Sequence, residues 1–172
     1  MRDPEPTHAA PGGSDAELPI ANERDQWLVA VHPPGQPPDA PPDFALVVAR
    51  ARDARLLLVH NRRRGVWELP GGWIDVGETA AACALRELAE ESGHVGHDVA
   101  LRAWVVLAAG DPESKVLITG AVFAASIDAS TGFVPGDEIS ATGLWTASAL
   151  PDDVSAIDAA LIVRLAGSKG FP

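Results

Sequence analysis

Glu87, Glu90 and Glu91 stand three and four residues apart, within the run Arg86-Glu-Leu-Ala-Glu-Glu-Ser-Gly93. On an α-helix such residues share one face. Leu85, Leu88, Ala81 and Ala89 then fall on the opposite face, as the stripe expected to be buried. Ser92 and Gly93 end the helix, because glycine takes the left-handed conformation that a C-cap requires. The arrangement is locally unfavourable. Like charges at these spacings cost about 0.2–0.5 kcal/mol per pair. Anions near a helix C-terminus oppose the macrodipole by about 0.3–1 kcal/mol each. Two readings fit three such glutamates: a solvated acidic face, or carboxylates gathered to hold a divalent metal ion through oxygen ligands.

The flanking residues separate those readings. The stretch has the form Gly-x5-Glu-x7-Arg-Glu-apolar-x-Glu-Glu-x-Gly, with Gly72, Glu78, Arg86, Glu87, Leu88, Glu90, Glu91 and Gly93 at the named places. It resembles the box of the Nudix hydrolase family. Seven fixed identities match by chance at a rate on the order of 10⁻⁹ per register at ordinary residue usage. His94 departs from the pattern, standing where the family places an apolar residue. The box covers about an eighth of the chain and speaks for reaction type more than for substrate.

The resemblance implies an α/β/α sandwich around a mixed sheet. It also implies hydrolysis of a nucleoside diphosphate linked to another group, through attack of water on phosphorus. That reaction gathers negative charge on phosphoryl oxygens, so it needs positioned cations and a base. Mg²⁺ suits it, with Mn²⁺ as a substitute. By resemblance, Glu90 and Glu91 are metal ligands, Glu87 is a ligand or the general base, and a Gly72 carbonyl is a further ligand. Arg86 is expected to pair with Glu78 and anchor the turn to the helix. Gly71 and Gly72 allow close backbone approach. Where relatives take the base from a later loop, Glu138 is the candidate here, with Asp137 and Glu113 behind it. Arg62, Arg63 and Arg64 lie where relatives contact phosphate, and guanidinium groups match phosphate oxygens; the alternative is a solvated basic loop.

Two substrate classes are implied: nucleoside triphosphates, and ADP-ribose or nucleotide sugars. A competing class is a non-catalytic nucleotide-binding sensor on the same fold, against which the complete set of box acids counts. Relatives are often homodimers. Composition sets outer bounds. At 172 residues with 47% apolar content the chain can bury a full core. A net charge of −11 disfavours anionic membranes and non-specific nucleic-acid binding. Cys83 is the single cysteine, placed on the helix as a small buried filler. With no secretory signal pattern at Met1–Thr7, a soluble cytoplasmic protein is expected.

The positioning elements follow from periodicity. Residues 1–24, rich in Pro, Gly, Ala and acids, are expected to be a disordered extension. Residues 25–42 read as a short strand, Trp27–Val31, followed by a proline-dense linker. The family domain is placed at 43–168. Within it, Phe44–Arg50 and Arg55–Val59 read as a hairpin turning at Asp53. Ala100–Ala109 and Lys115–Ile127 read as longer strands around a turn at 111–114, and Leu144–Thr146 as a last strand. A closing helix runs through Leu165, capped by Asp152 or Asp153, with Ile157, Leu161, Ile162 and Leu165 as its apolar stripe. The histidines are expected to be exposed.

Overall fold

A computed structural model describes residues 17–110, 115–128 and 132–166. Six strands come first: β1 (Ile20–Ala21), β2 (Gln26–His32), β3 (Phe44–Ala51), β4 (Leu56–Asn61), β5 (Val66–Glu68) and β6 (Gly71–Trp73). Helix α1 (Ala80–Ser92) follows, then β7 (Gly96–Ala109), β8 (Val116–Ile127), β9 (Ile139–Trp145) and helix α2 (Ala156–Ala166). The expected disorder of residues 1–16, the turn at 111–114 with Glu113, and residues 129–131 and 167–168 lie outside the described residues.

Alternation along the central strands makes two apolar faces. On β3, Ala45, Val47 and Ala49 join one core with Ala121, Phe123, Ala125 and Ile127 of β8. Val48 and Val122 point the other way, with Leu28, Leu56, Leu58, Val105 and Leu107. Each face is covered by one helix, since neither can stay in water. Cys83, Ala84 and Leu88 of α1 close the first; Ile157, Leu161, Ile162 and Leu165 of α2 close the second. The α/β/α sandwich is the observed architecture.

Among the described residues the sheet runs β1-β2-β7-β8-β3-β4-β5, with β6 added on β3 and β9 on β4. It is mixed, because β3 and β8 pair in parallel while β7 and β8 form an antiparallel hairpin. The β3–β4 hairpin turns where expected, with the Asp53 carboxylate accepting from the Arg55 amide at 3.2 Å. Yet the two strands pair at one position, Arg50 with Leu56, and then diverge. That divergence lets β6 join β3 and β9 join β4.

Several expectations are corrected. The expected strand at Trp27 is present as β2, but Ile20–Ala21, among the residues expected to be disordered, forms a strand paired with it. Strand β7 starts at Gly96, not Ala100. The Asp152/Asp153 cap gives way to Ser155, whose carbonyl accepts the first helical bond from Ala159 at 2.9 Å. Ala89 is exposed; the buried stripe of α1 is Cys83, Ala84, Leu88 and Ser92. His94 is 6% exposed, against the expectation for histidines. Its Nδ1 lies 3.1 Å from the Ser92 carbonyl oxygen, so the ring fills the apolar place while its polar atom stays partnered. No helix among the described residues is long and apolar enough to cross a membrane.

Candidate active site

Arg86 organises the box. Its Nε and Nη2 donate to the two Glu78 carboxylate oxygens, both at 2.9 Å, a bidentate pair. Its Nη1 donates to Glu87 Oε1 at 2.7 Å and to Glu90 Oε2 at 3.4 Å, and Nη2 also reaches the Trp73 carbonyl at 3.2 Å. The Glu78 carboxylate accepts from the Asp75 amide at 3.1 Å as well. The Arg86 bonds, then that amide, hold the Glu78 carboxyl down at about 2. The loop before α1 is thereby tied to the helix, whose start is capped by Thr79 Oγ1 accepting from the Ala82 amide at 3.2 Å. At the other end Gly93 sits at φ 69°, and its amide donates to the Ala89 carbonyl.

The glycine pair acts through close approach. Gly71 and Gly72 belong to strand β6, opposite Leu46 and Ala45. A Cβ on Gly71 would lie 2.3 Å from the Ala45 carbonyl oxygen, and one on Gly72 would lie 2.3 Å from Glu87 Oε1. The space a side chain would take at 72 is thus filled by the Glu87 carboxylate. Glu91 accepts from the Gly71 amide at 3.0 Å. Burial pushes its carboxyl up to about 8 despite that bond, with added repulsion from Glu87, Glu68 and Glu138. Cys83, expected as filler, is fully buried; desolvation and then Glu78 raise its thiol to about 11, so it stays protonated.

Glu87, Glu90, Glu91 and the Gly72 carbonyl are hard oxygen donors of the kind Mg²⁺ accepts. The accumulation of negative charge around Glu91 fits a cation bound there. Among the described residues no three acidic, histidine or cysteine side chains close around one point. Glu87 and Glu90 lean on Arg86, and Glu91 on the Gly71 amide. The donors fit a divalent ion in kind.

On the α2 side of β6 lies a cavity of about 170 Å³. Gly71, Gly72, Trp73 and Glu138 stand at its edge next to the box. Arg64 lines it too and pairs with Glu68. Arg62 and Arg63 are exposed on the preceding loop, and the Arg62 amide donates to the Glu138 carbonyl at 2.8 Å. Asp137 is exposed and outside the lining. Asn22, Arg24, Gln26, Glu68 and Asp158 also face this cavity, and the sequence reading missed all five as site residues. Two of them left a signal. Glu68 interrupts an apolar segment, and Asp158 sits inside the apolar stripe beside Ile157, Leu161 and Ile162. Desolvation raises both carboxyls above the usual range, that of Asp158 to about 7.

A sequence model of the NUDIX domain matches residues 40–163. The chain belongs to the Nudix family. Among curated relatives, a Bacillus subtilis protein provisionally named an 8-oxo-dGTP diphosphatase is 40% identical over 50 residues, 29% of this chain and 34% of that one. The chain spans between 17% and 48% of the length of the curated relatives it matches. Among solved structures that share the fold are two of bacterial proteins. The B. subtilis pyrophosphohydrolase BsRppH superposes with a TM-score of 0.70 at 20% identity, covering 91% of this chain and 100% of that one. The NUDIX domain of Shewanella oneidensis NrtR, solved with ADP ribose, gives 0.58 at 21% identity, covering 73% of this chain and 86% of that domain. In this Nudix chain Arg86, Glu87, Glu90 and Glu91 come together on one helix, Gly71, Gly72 and Glu138 stand beside them, and Arg64 lies across the cavity edge. Arg62 and Arg63 do not join them.

Proposed function

We propose that the chain is a Nudix pyrophosphohydrolase that cleaves a diphosphate linkage in a nucleoside diphosphate derivative, nucleoside triphosphates first among them. One observation carries the reading. Strand β6 has the Glu87 and Glu91 carboxylates against it and also edges a cavity lined by apolar, aromatic and polar side chains. Phosphates and a base therefore have adjoining places.

Glu87, Glu90, Glu91 and the Gly72 carbonyl would hold Mg²⁺ or Mn²⁺, which when bound would supply the positive charge that a phosphoryl transition state requires. Arg86 orients Glu87 and Glu90 through its Nη1, and Glu78 fixes Arg86 in turn. Glu87 or Glu138 takes the proton from the attacking water, both being carboxylates on the box side of the cavity. Arg64, beside Gly71 and Gly72 on the cavity wall, contacts phosphate oxygens. Arg62 and Arg63 add attraction from the loop without direct contact.

The test is a panel of nucleoside triphosphates, ADP-ribose and nucleotide sugars with Mg²⁺ or Mn²⁺. Products are scored as phosphate, pyrophosphate or nucleoside monophosphate. Turnover of triphosphates above the sugars supports the reading, and the reverse order replaces it with a nucleotide-sugar pyrophosphatase. Binding without turnover of any member would make the chain a nucleotide-binding module and overturn the proposal.

A further inference from the structure

The family match begins at residue 40, yet the cavity wall includes Asn22 and Arg24 from the β1–β2 turn and Gln26 at the start of β2. That turn is held internally. Asn22 Oδ1 accepts from the Arg24 amide at 2.9 Å and the Gln26 amide at 3.1 Å, and Asn22 Nδ2 donates to Gln26 Oε1 at 3.1 Å. The carbonyl oxygens of both amide side chains are occupied within the turn, and the exposed Arg24 guanidinium is a charged donor beside them on the cavity wall. Across the cavity Asp158 is 7% exposed, on the first turn of α2. Its Oδ1 accepts weakly from the Leu69 amide, at 3.4 Å. Arg24, Asp158 and Glu68 all line this one cavity, so a ligand seated in it meets the guanidinium and the two buried carboxyls together.

We propose that Arg24 and Asp158 read the nucleobase of the substrate in this cavity, and that the base they select is guanine. The inference rests on the hydrolase reading for what lies beyond the base. A guanidinium and a carboxyl lining one cavity call for a ring with acceptors on one edge and donors on the next. Guanine has that pattern: O6 and N7 accept in the geometry of an arginine fork, while N1–H and N2–H₂ donate in the geometry of a carboxylate. Adenine puts an N6–H₂ donor where guanine has O6, setting donor against donor at Arg24, and has no 2-amino group for Asp158. Pyrimidines present one such edge and leave the other group unmatched. The ring faces meet Leu46, Leu107 and Leu161, with Phe44 and the 63% exposed Trp73 at the mouth. Discrimination is strong in such sites because a wrong base leaves buried polar groups unpaired.

The experiment compares kcat/KM for the guanine, adenine, cytosine and uracil triphosphates in the wild type, Arg24→Ala and Asp158→Asn. Nucleotide binding in chelator is followed in parallel by tryptophan fluorescence. Wild type is expected to favour guanine over adenine at least tenfold. Each variant should cut that ratio at least tenfold, through KM more than kcat. Arg24 is exposed, so its variant tests the idea even if Asp158→Asn melts early. A wild-type guanine-to-adenine ratio within threefold, or a ratio unmoved in both variants, overturns the base assignment and leaves the hydrolase standing. Guanine-selective binding that both variants abolish, with no turnover of any nucleotide, upholds the base assignment while the hydrolase reading falls.

Discussion

Arg86 donates to Glu78, Glu87 and Glu90, whereas Glu91 accepts from the Gly71 amide and faces Glu87, Glu68 and Glu138. The crowding read from the sequence is therefore unevenly offset. Glu87 and Glu90 have an internal cation, and Glu91 has like charges and burial. The consequence is a difference between two neighbouring substitutions. Glu90 is exposed and its bond to Arg86 is long, so Glu90→Gln should move metal-free stability by less than about 0.5 kcal/mol. Glu91→Gln keeps an oxygen for the Gly71 amide and removes the charge. The folded pKa of Glu91 is raised, so its contribution is fully present below about 4.5 and lost as pH rises through about 8. Glu91→Gln should thus be more stable than wild type in chelator at pH 8.5, with the gap closing towards pH 5. Both variants should lose turnover by at least a hundredfold. Denaturant melts at the two pH values check the first statement, and equal stabilities at pH 8.5 would refute the electrostatic account.

At the scale of elements, strand β6 shows why two adjacent glycines are not equivalent. At 72 the added Cβ meets the end of a side chain, Glu87 Oε1; at 71 it meets backbone, the Ala45 carbonyl oxygen and Leu46 Cα. A carboxylate can swing away, and a paired strand cannot. Gly72→Ala should fold with a Tm near wild type and lose at least tenfold in kcat, because Glu87 is displaced. Gly71→Ala should lose about 1–3 kcal/mol by overpacking against β3. Measuring Tm and kcat on both separates the roles, and a Gly72→Ala enzyme of full activity would count against Glu87 as a working group. From sequence alone this pair read as a turn that allows close backbone approach, and the structure makes it part of a paired strand. Helix α1 and its Gly93 cap were legible from local spacing, and the Arg86–Glu78 pair through the family resemblance, all within twenty-odd residues. The β6–β3 pairing was not, because it depends on β3 and β4 separating after one paired position, which no local pattern encodes.

Across the whole molecule, the parts that escaped the sequence are those built from distant segments. The cavity joins the β1–β2 turn, β5, β6, the approach to β9 and α2, and three of its polar residues precede the family match. Glu68 and Asp158 were given no role from sequence, although each stands in an otherwise apolar run, and folding puts both in the interior. That assembly sets how the metal-free protein responds to pH. On the acid side Glu78 is held low by Arg86, so its contribution is lost only as pH falls through about 2. On the other side Glu91 and Asp158 carry raised values, about 8 and about 7, and each withdraws stability as pH rises from the ordinary carboxylate range to those values. Each such group contributes a slope of at most about 1.4 kcal/mol per pH unit inside its window. In chelator, Tm should therefore fall steadily between pH 5 and pH 8.5, the reverse of a protein limited by acid titration. The combined Glu91→Gln and Asp158→Asn chain should flatten that descent. Saturating Mg²⁺ should flatten it in the wild type as well, since a ligand of the folded state adds stability by mass action where the carboxylates are ionised. A chelated wild type whose Tm is level or rises across that range would mean that the cavity acids ionise at little cost, and that burial is not what distinguishes them.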